Sequence, residues 1–431
     1  MENDVFLNNV KNYNKKNPVR FHMPGHKGKP IADYQNNLLQ YDLTELKETD
    51  NLYDPEPCGG IRQMMELCKD HYGTSNTILS AGGATLCIQT AVMSVIRTFG
   101  NNRIICDRRC HKSVINALIL CNAEPVWIDV TTVTELPVAA AMIVTSPDYY
   151  GVMLDIRRIA EMCHKSGIVL ICDNAHGSHL AYYKSGDLHA YSNGADMVID
   201  SLHKTLPALT GSALLHANER FREDILLSSL RLFASTSPSY LISASICSCI
   251  GYMLDNGSDR LRRLYDEITD CKVNLRNLGY NIIDGEHIHY DPFRLCINLG
   301  NAEELYNYLY NNNVVCEFYD KNNVIIIPSV MNTERDFDIL YDLCRNFIPA
   351  ESDSQKYEIY IPESAVSARE AVLLKSYTIG IAGASGKICA ETIAPYPPGI
   401  PLILPGEIFD DYIVARLKLY GYDKVKITGE R

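Results

Sequence analysis

Between about Thr77 and His216, short apolar runs alternate with stretches of helical spacing. The runs at 103–106, 125–130, 139–145, 168–172, 197–199 and 212–215 predict strands, and segments at 85–98, 111–121 and 155–165 predict helices. Strands that are apolar on both faces and separated by helices are typical of a doubly wound, mostly parallel sheet. The pattern therefore predicts an α/β fold that binds its ligand beyond the carboxyl ends of the strands.

The chain becomes more helical after Glu219 and then returns to an α/β pattern. Helices are predicted at 219–232, 238–254 and 258–278, strands at 294–298, 314–318 and 324–327, and further helices at 303–311 and 334–345. A polar stretch at 349–355 indicates a linker, and the proline-rich stretch at 395–401 must be extended. We predict an N-terminal segment (1–20), a large domain (21–255), a small α/β domain (256–348) and a C-terminal domain (349–431).

Composition narrows the class of protein. The 431 residues are 46% hydrophobic and 21% charged, which is typical of a globular chain with a large core. The net charge of -12 argues against a nucleic-acid partner, and no run approaches the roughly 18 apolar residues of a membrane span. The fifteen cysteines form no C-x-x-C pair, so we expect reduced thiols in a cytoplasmic protein. Zinc binding by Cys106, Cys110 and His111 is conceivable, but no second ligand pair has metal spacing, and no metal is expected.

Two of the apolar runs end in side chains that suit one cofactor. Asp173 follows the run at 168–172, and Lys204 follows Asp200-Ser-Leu-His at the end of the run at 197–199. A lysine amine forms a Schiff base with the aldehyde of pyridoxal phosphate (PLP), and a carboxylate keeps the pyridine nitrogen protonated so that the ring accepts electrons. Lys204 alone could equally be a surface lysine after a buried strand, but further candidate residues accompany it.

A glycine pair precedes the helix predicted at 85–98, and glycines at a helix N-terminus expose backbone N–H groups to an anion. The alternative is an ordinary turn. Two polar residues beside Lys204 can donate to the same anion, or can face solvent or cap the strand. The candidate phosphate ligands are Gly83, Ala84, Thr85, Ser201 and His203.

Several histidines follow the predicted strands. His111 begins a helix, where it can stack on a flat cofactor ring or simply cap the helix. His176 follows Asp173 and can orient that carboxylate or transfer a proton, whereas Ala175 is small enough to let a ring lie close. His176 and His179 can also be ordinary loop histidines.

Two further features carry weaker signals. The stretch Ser235-Thr-Ser-Pro-Ser-Tyr240 is dense in hydroxyls before a predicted helix, and capping explains one or two of them. Arg294, in Asp291-Pro-Phe-Arg, can bind a substrate carboxylate or can be a strand-edge arginine in a surface pair.

Together these segments resemble the bacterial-type Orn/Lys/Arg decarboxylase family, PLP-dependent enzymes with the aspartate-aminotransferase fold (fold type I). The matching segments run in the family's order from about Pro18 to the end of the chain. They are Phe21-His-Met-Pro-Gly-His-Lys-Gly28, Pro57-Cys-Gly-Gly-Ile61, His111-Lys-Ser113, Pro147-Asp-Tyr-Tyr-Gly-Val152, Asp173-Asn-Ala-His-Gly177, Ser201-Leu-His-Lys-Thr-Leu-Pro-Ala208, Ser235-Thr-Ser-Pro-Ser-Tyr240, Pro395-Tyr-Pro-Pro-Gly-Ile-Pro401 and Pro405-Gly-Glu407.

The resemblance implies a role for each candidate. Lys204 would carry PLP, Asp173 would pair with the pyridine nitrogen and His111 would stack on the ring. Thr85, Ser201 and His203 would hold the phosphate with backbone help from Gly83 and Ala84. A hydroxyl of Thr236 or Ser237 would reach the phosphate of a partner subunit. The resemblance thus implies a homodimer, or a dimer of dimers, with shared active sites.

The chain departs from the family's pattern in three places. Asn174 stands where an acidic residue usually follows the pyridine-binding aspartate, and Ala84 stands where a serine is common, which leaves Thr85 more of the phosphate binding. The N-terminal wing domain of the longer enzymes is not present in this sequence, so the chain resembles the short form. We therefore do not expect the ring-shaped assembly of the longer enzymes.

The predicted activity is α-decarboxylation of arginine, lysine or ornithine, with a mild preference for arginine by analogy, in a polyamine-related role. Lys204 or His203 would return a proton to Cα. A long cationic substrate needs a distal carboxylate, for which Glu407 is the first candidate and Asp42 and Glu45 are weaker ones. A fold type I aminotransferase or other PLP lyase, with Arg294 on the substrate carboxylate, is the alternative enzyme. A non-catalytic scaffold or regulator of the same fold is the third possibility.

Overall fold

The computed structural model describes residues 19–21, 51–57, 59–284, 289–352, 359–395 and 399–429. Its largest element is a seven-stranded sheet in the order β2-β8-β7-β6-β5-β3-β4, in which β8 runs antiparallel to both its neighbours and the other pairs are parallel. The strands are β2 (Asn76–Ser80), β3 (Arg103–Asp107), β4 (Glu124–Ile128), β5 (Ala141–Thr145), β6 (Val169–Asp173), β7 (Met197–Asp200) and β8 (Ala213–Ala217). Because β6, β7 and β8 are buried along their whole length, they read as unbroken apolar runs rather than as an alternating pattern.

Helices connect these strands and cover both faces of the sheet, as the sequence predicts. They are α1 (Gly60–Tyr72), α2 (Gly83–Phe99), α3 (Lys112–Leu120), α4 (Ile156–Lys165), the short α5 (Leu202–Thr205) and α6 (Glu223–Leu230). One buried cluster includes Val92, Ile104 and Ile199, and a second includes Ile105, Ile159 and Val198. Neighbouring residues of one strand thus enter different clusters, as expected for a sheet that is packed on both faces.

A single helix, α7 (Tyr240–Asn277), replaces the two helices predicted at 238–254 and 258–278. The prediction of a break was wrong, because Gly257 serves close packing rather than a turn. A Cβ on Gly257 would lie 2.8 Å from Met253 Cε and 3.3 Å from Tyr182 Cβ. The predicted domain boundary at residue 255 falls inside this helix. The helix predicted at 219–232 is also shorter, at 223–230.

A smaller α/β unit follows α7. Its antiparallel sheet has the order β12-β13-β10-β9, and a separate parallel pair joins β1 to β11. The strand predicted at 314–318 is therefore divided between two sheets. The elements are β1 (Val19–Phe21), β9 (Asn281–Ile283), β10 (Leu295–Asn298), α8 (Ala302–Asn311), β11 (Val314–Cys316), β12 (Phe318–Tyr319), β13 (Asn323–Ile326) and α9 (Glu334–Arg345).

The C-terminal region has its own small core around Phe409 and Ile413. Its elements are α10 (Ala368–Leu373), β14 (Ser376–Gly380), α11 (Asp411–Leu419) and β15 (Lys424–Thr428), with β14 and β15 antiparallel. No helix within the described ranges is both long and apolar enough to cross a membrane.

Candidate active site

Lys204 and Asp173 lie at the same edge of the central sheet. Asp173 is the last residue of β6, and Lys204 lies in α5, which directly follows β7. The parallel register pairs Asp173 with Ile199, so the ends of the two strands are level. Burial raises the pKa of Asp173, and the positive charge of Lys204 lowers it. Burial lowers the pKa of Lys204, and the negative charge of Asp173 raises it, so the two groups interact.

The amine of Lys204 is mostly buried and contacts an imidazole. Its Nζ lies 3.1 Å from Nε2 of His176. Burial lowers the pKa of Lys204, and the positive charge of Arg294 lowers it further, whereas the carboxylates of Asp173 and Glu317 oppose the shift. A lysine with a lowered pKa is more often neutral near pH 7, and the neutral amine is the nucleophile that attacks a carbonyl.

His176 is a buried and neutral base beside this amine. Burial, followed by the charge of Lys204, lowers the pKa of His176 well below its ordinary value. Its ring packs edge-on against Tyr149, with 4.9 Å between centroids, and its Nδ1 is buried without a hydrogen-bond partner among the described residues. The contact at Nε2 is with Lys204, so the geometry favours the predicted proton-transfer role of His176 over an orienting role toward Asp173.

Asp173 is 3% exposed, and its Oδ1 accepts a hydrogen bond from the backbone N–H of Ala175 at 3.2 Å. Burial raises the pKa of Asp173, and the charge of Lys204 opposes that shift. A buried carboxylate with one backbone donor still has oxygen lone pairs for a cationic N–H. Asp173 thus has the burial and the bonding capacity that a partner of a protonated ring nitrogen needs.

His111 is the N-cap of α3, so it has the capping role that the sequence offered as the alternative to ring stacking. Its Nδ1 accepts a hydrogen bond from the backbone N–H of Ser113 at 3.2 Å. Although His111 is exposed, crowding by the surrounding protein and then the positive charges of Lys204 and Lys112 lower its pKa. Capping and ring stacking are compatible, and stacking stays a prediction.

The predicted phosphate cradle forms the start of α2. Gly83 has a φ of +69°, which favours glycine, and its N–H donates to Gly211 O at 2.7 Å. No side chain among the described residues caps α2, so its first-turn N–H groups, including those near Ala84, suit an anion. Thr85 and Ser237 are exposed and line one cavity of about 240 Å³. Thr236 is exposed beside Ser237.

The residues before Lys204 face the same turn. Ser201 is fully buried, and its Oγ lies 3.4 Å from Nδ1 of His203. That nitrogen also lies 3.4 Å from the backbone N of Gly211, the residue whose carbonyl binds Gly83. The structure therefore brings Ser201 and His203 to the glycine turn, as predicted from the sequence.

Arg294 is a buried cation rather than a surface arginine. It is 1% exposed, and Nε, Nη1 and Nη2 have no hydrogen-bond partner among the described residues. The nearest carboxylate is Asp291 Oδ2, at 3.7 Å from Nη2. A Cβ on Gly151 would lie 2.7 Å from Arg294 Cβ, so glycine makes room for this side chain. Buried guanidinium groups are normally satisfied, and an unsatisfied one beside Lys204 suits an anionic ligand.

Glu407, the first candidate for a distal substrate contact, is already paired. Arg108 Nη1 and Nη2 donate to its two carboxylate oxygens at 2.6 and 2.7 Å, and the backbone N–H of Leu404 donates to Oε2 at 2.7 Å. Both side chains of the ion pair are 2% exposed. Asp42 and Glu45 lie outside the described residues, as do residues 22–28 and 396–398 of the family segments.

Sequence reasoning did not identify Arg108, Tyr149, Asp200 or Glu317 as site residues. The sequence did mark two of them. Tyr149 lies in a segment that matches the family, and Asp200 is a charged residue at the end of an apolar strand. Glu317 accepts a hydrogen bond from the Tyr149 hydroxyl at 2.6 Å, a contact across 168 positions that no local pattern indicates. Within the described part of the chain, no group of three or more histidine, cysteine or acidic residues is placed to hold a metal ion.

The residues of this edge fit PLP. They provide a half-buried amine with a lowered pKa, a buried carboxylate for the ring nitrogen and an uncapped helix start behind a glycine turn for the phosphate. The unsatisfied guanidinium of Arg294 adds a site for a substrate carboxylate.

Comparison with known proteins agrees with this chemistry. The major domain of the Orn/Lys/Arg decarboxylases matches residues 5–138 and 130–289, and the C-terminal domain of the same family matches residues 354–420. The chain belongs to the Orn/Lys/Arg decarboxylase family. It is therefore an amino-acid decarboxylase of the group that acts on basic amino acids.

Relatives in this family include two arginine decarboxylases. The protein from Halalkalibacterium halodurans is 30% identical over 94% of this chain and 90% of its own length. The protein from Bacillus subtilis is 28% identical over 93% of this chain and 90% of its own length. The solved Escherichia coli constitutive lysine decarboxylase has a similar fold, with a TM-score of 0.76 and 16% identity over 92% of this chain and 76% of its own. These similarities confirm the predicted α/β architecture of fold type I.

Proposed function

We propose that this decarboxylase uses PLP to convert L-arginine to agmatine and carbon dioxide, as a step related to polyamine formation. One observation carries the proposal: a half-buried lysine with a lowered pKa lies at the same sheet edge as a buried aspartate, and its charge interacts with that of an unsatisfied arginine. Sequence similarity supports arginine as the substrate, because the relatives named arginine decarboxylases are 26–30% identical to the chain and those named lysine decarboxylases are 20% identical.

PLP, when bound, supplies a ring that accepts the electrons left behind as the carboxylate departs. Lys204 would hold the aldehyde carbon through Nζ, and Asp173 would hold the ring nitrogen through its carboxylate. The glycine turn before α2 would bind the phosphate, together with Thr85, Ser201 and His203. His111, whose pKa is lowered, would meet the ring as a neutral imidazole.

Arg294 would bind and orient the substrate α-carboxylate. Its guanidinium has unused donors, and a bidentate contact fixes the direction of a carboxylate better than a point charge does. In a decarboxylase, this contact would hold the carboxylate in the orientation from which it departs. The alternative aminotransferase reaction also uses an arginine, so product analysis has to separate the two reactions.

His176 and Lys204 would transfer the proton that replaces the carboxylate on Cα. The 3.1 Å contact between Nζ and Nε2 lets a proton pass between the two groups, and the lowered pKa of His176 keeps its imidazole neutral, and so able to accept a proton, near pH 7. His203 is the second candidate donor to Cα. The exposed hydroxyls of Thr236 and Ser237 would complete the phosphate site of a second copy of the chain, which makes a homodimer the proposed functional unit.

The test is an assay with arginine, lysine and ornithine that detects carbon dioxide, the amine product and any keto acid. We expect agmatine and carbon dioxide from arginine, and a pyridoxyl group on Lys204 after borohydride reduction and peptide mapping. Lys204→Ala should abolish turnover, whereas Lys69→Ala, which alters a partly exposed lysine paired with Glu66, should retain it. Keto acid without carbon dioxide would instead favour the aminotransferase, and a failure to bind PLP would favour the non-catalytic alternative.

A further inference from the structure

Behind the predicted site lies a second buried carboxylate. Asp200, the last residue of β7, is fully buried. Asn174 Nδ2 donates to its Oδ1 at 2.5 Å, and His189 Nε2 lies 3.1 Å from its Oδ2. His216 Nε2 lies 3.3 Å from the same Oδ2, and its ring is fixed at the other nitrogen by Thr77, at 2.9 Å. Asp200 is therefore surrounded by three polar groups on three different segments.

The network keeps Asp200 ionised. Burial alone would raise its pKa, but the contacts with His189 and then His216 outweigh burial and lower the pKa well below its ordinary value. Burial lowers the pKa of His216 itself, so this ring is neutral near pH 7 and does not cancel the charge of Asp200. Asp173 is a second acidic group close enough to interact with Asp200. Four further titratable side chains interact with Asp200, and burial raises their pKa values, so they are uncharged: Tyr72, Tyr182, Cys87 and Cys172. None of these adds a positive charge.

The network also fixes the turn that carries Asp173. The backbone N–H of Asn174 donates to Ile199 O at 3.0 Å, and Asn174 O accepts from Gly177 at 2.8 Å. A Cβ on Gly177 would collide with Asn174 Oδ1, so the glycine leaves the space that the Asn174 amide occupies in this orientation. Its Nδ2 is held toward Asp200, and the next residue toward the N-terminus is Asp173.

We propose that Asp200 is a positioning residue for Asp173: through Asn174 it locks the turn at 173–177, and it places a second, permanent negative charge behind the carboxylate that holds the ring nitrogen. This inference rests on the proposed PLP function. A nearby negative charge raises the proton affinity of the pair formed by Asp173 and the ring nitrogen, in line with its raising effect on the pKa of Asp173. Asp200 would thereby help to keep the ring nitrogen protonated without touching it.

Exchange of the amide and the carboxylate tests the proposal. Asp200→Asn removes the charge, Asn174→Asp places two carboxylates in contact, and the double variant Asn174→Asp/Asp200→Asn keeps one of each with their positions reversed. For each, we would measure the PLP dissociation constant by absorbance, the nitrogen-15 chemical shift of ¹⁵N-labelled PLP, which reports the ring proton, and the melting temperature of the cofactor-free protein.

We expect Asp200→Asn to weaken PLP binding roughly tenfold, the equivalent of about one pKa unit at one group, and to shift the nitrogen-15 signal toward the unprotonated ring. Asn174→Asp should lower the melting temperature, and the double variant should recover most of both properties. The inference is overturned if Asp200→Asn retains the wild-type affinity and signal while only the melting temperature falls. Should that variant not fold, a folded double variant that binds PLP roughly tenfold more weakly than the wild type, or that shows the unprotonated signal, overturns it instead. It is equally overturned if the double variant folds but binds PLP no better than Asp200→Asn. Wild-type protein that does not bind PLP would reject the proposed function itself.

Discussion

The buried ion pair between Arg108 and Glu407 predicts a large stability cost for a conservative substitution. Glu407→Gln preserves the size of the side chain but leaves the guanidinium of Arg108 buried without its counter-charge. The carboxylate accepts two hydrogen bonds from Arg108 and one from Leu404, and both ionic side chains are 2% exposed. Removal of one partner of such a pair costs about 3–5 kcal/mol. The guanidinium also lies 5.3 Å from the centroid of Trp127, a contact that remains.

The chain offers a control with the same contact distance and less burial. Arg62 and Glu223 also approach to 2.6 Å, but their side chains are 21% and 30% exposed. Glu223→Gln should therefore lower the free energy of unfolding by no more than about 1 kcal/mol. Urea unfolding of the cofactor-free variants, followed by circular dichroism, measures both losses. The double variant Arg108→Met/Glu407→Leu should lose less than Glu407→Gln, because it leaves no unpaired charge.

Equal losses for Glu407→Gln and Glu223→Gln would refute the reasoning. A rise in KM for arginine with unchanged stability would instead favour the substrate-binding role predicted for Glu407 from the sequence.

Three other predictions concern the sheet edge. Asp173→Ala should lower kcat/KM by several orders of magnitude, and a loss of tenfold or less, about 1.4 kcal/mol of barrier, would contradict its role as counter-ion. Arg294→Met should raise the melting temperature of the cofactor-free protein, since it removes an unsatisfied buried charge, while kcat/KM falls about 100-fold or more; a variant with unaltered kinetics would exclude the carboxylate contact. His176 is neutral in the folded protein because burial lowers its pKa, whereas in the unfolded chain it binds a proton below about pH 6.5. The wild type should therefore lose up to about 1.4 kcal/mol more stability per pH unit than His176→Asn between pH 6.5 and 5, and parallel pH profiles from urea unfolding would reject this assignment.

Local signals were sufficient to predict the sheet and to place Asp173 and Lys204 at one edge of it. A strand buried on both faces is a short apolar run, and a charged residue just after such a run must lie at the sheet edge. Asp173 ends its strand, and Lys204 lies in the short helix that follows the neighbouring strand, so the parallel order of the two strands brought them together. The glycine turn at Gly83 was predictable for the same reason, because its conformation is set within a few residues.

Features that depend on distant contacts were not predictable from spacing. Arg108 and Glu407 are 299 positions apart, and neither is marked by its neighbours as a buried ion. The gap predicted between residues 254 and 258 does not exist, because Gly257 packs against Tyr182, a residue of a different segment. Arg294 was a candidate from the sequence, but burial and the lack of partners, which make it chemically informative, are properties of the folded chain.

The continuous helix α7 mechanically couples the two ends of the site. With 38 residues it is about 57 Å long, so a rotation of about two degrees at one end moves the other by about 2 Å. Its N-cap, Ser239, lines the cavity that contains Thr85, and near its other end Lys272 Nζ donates to Pro292 O at 3.2 Å, two residues before Arg294. The cavity that contains Thr85 and the loop that carries Arg294 are therefore joined by one uninterrupted helix, so a tilt of α7 at one of them would displace the other.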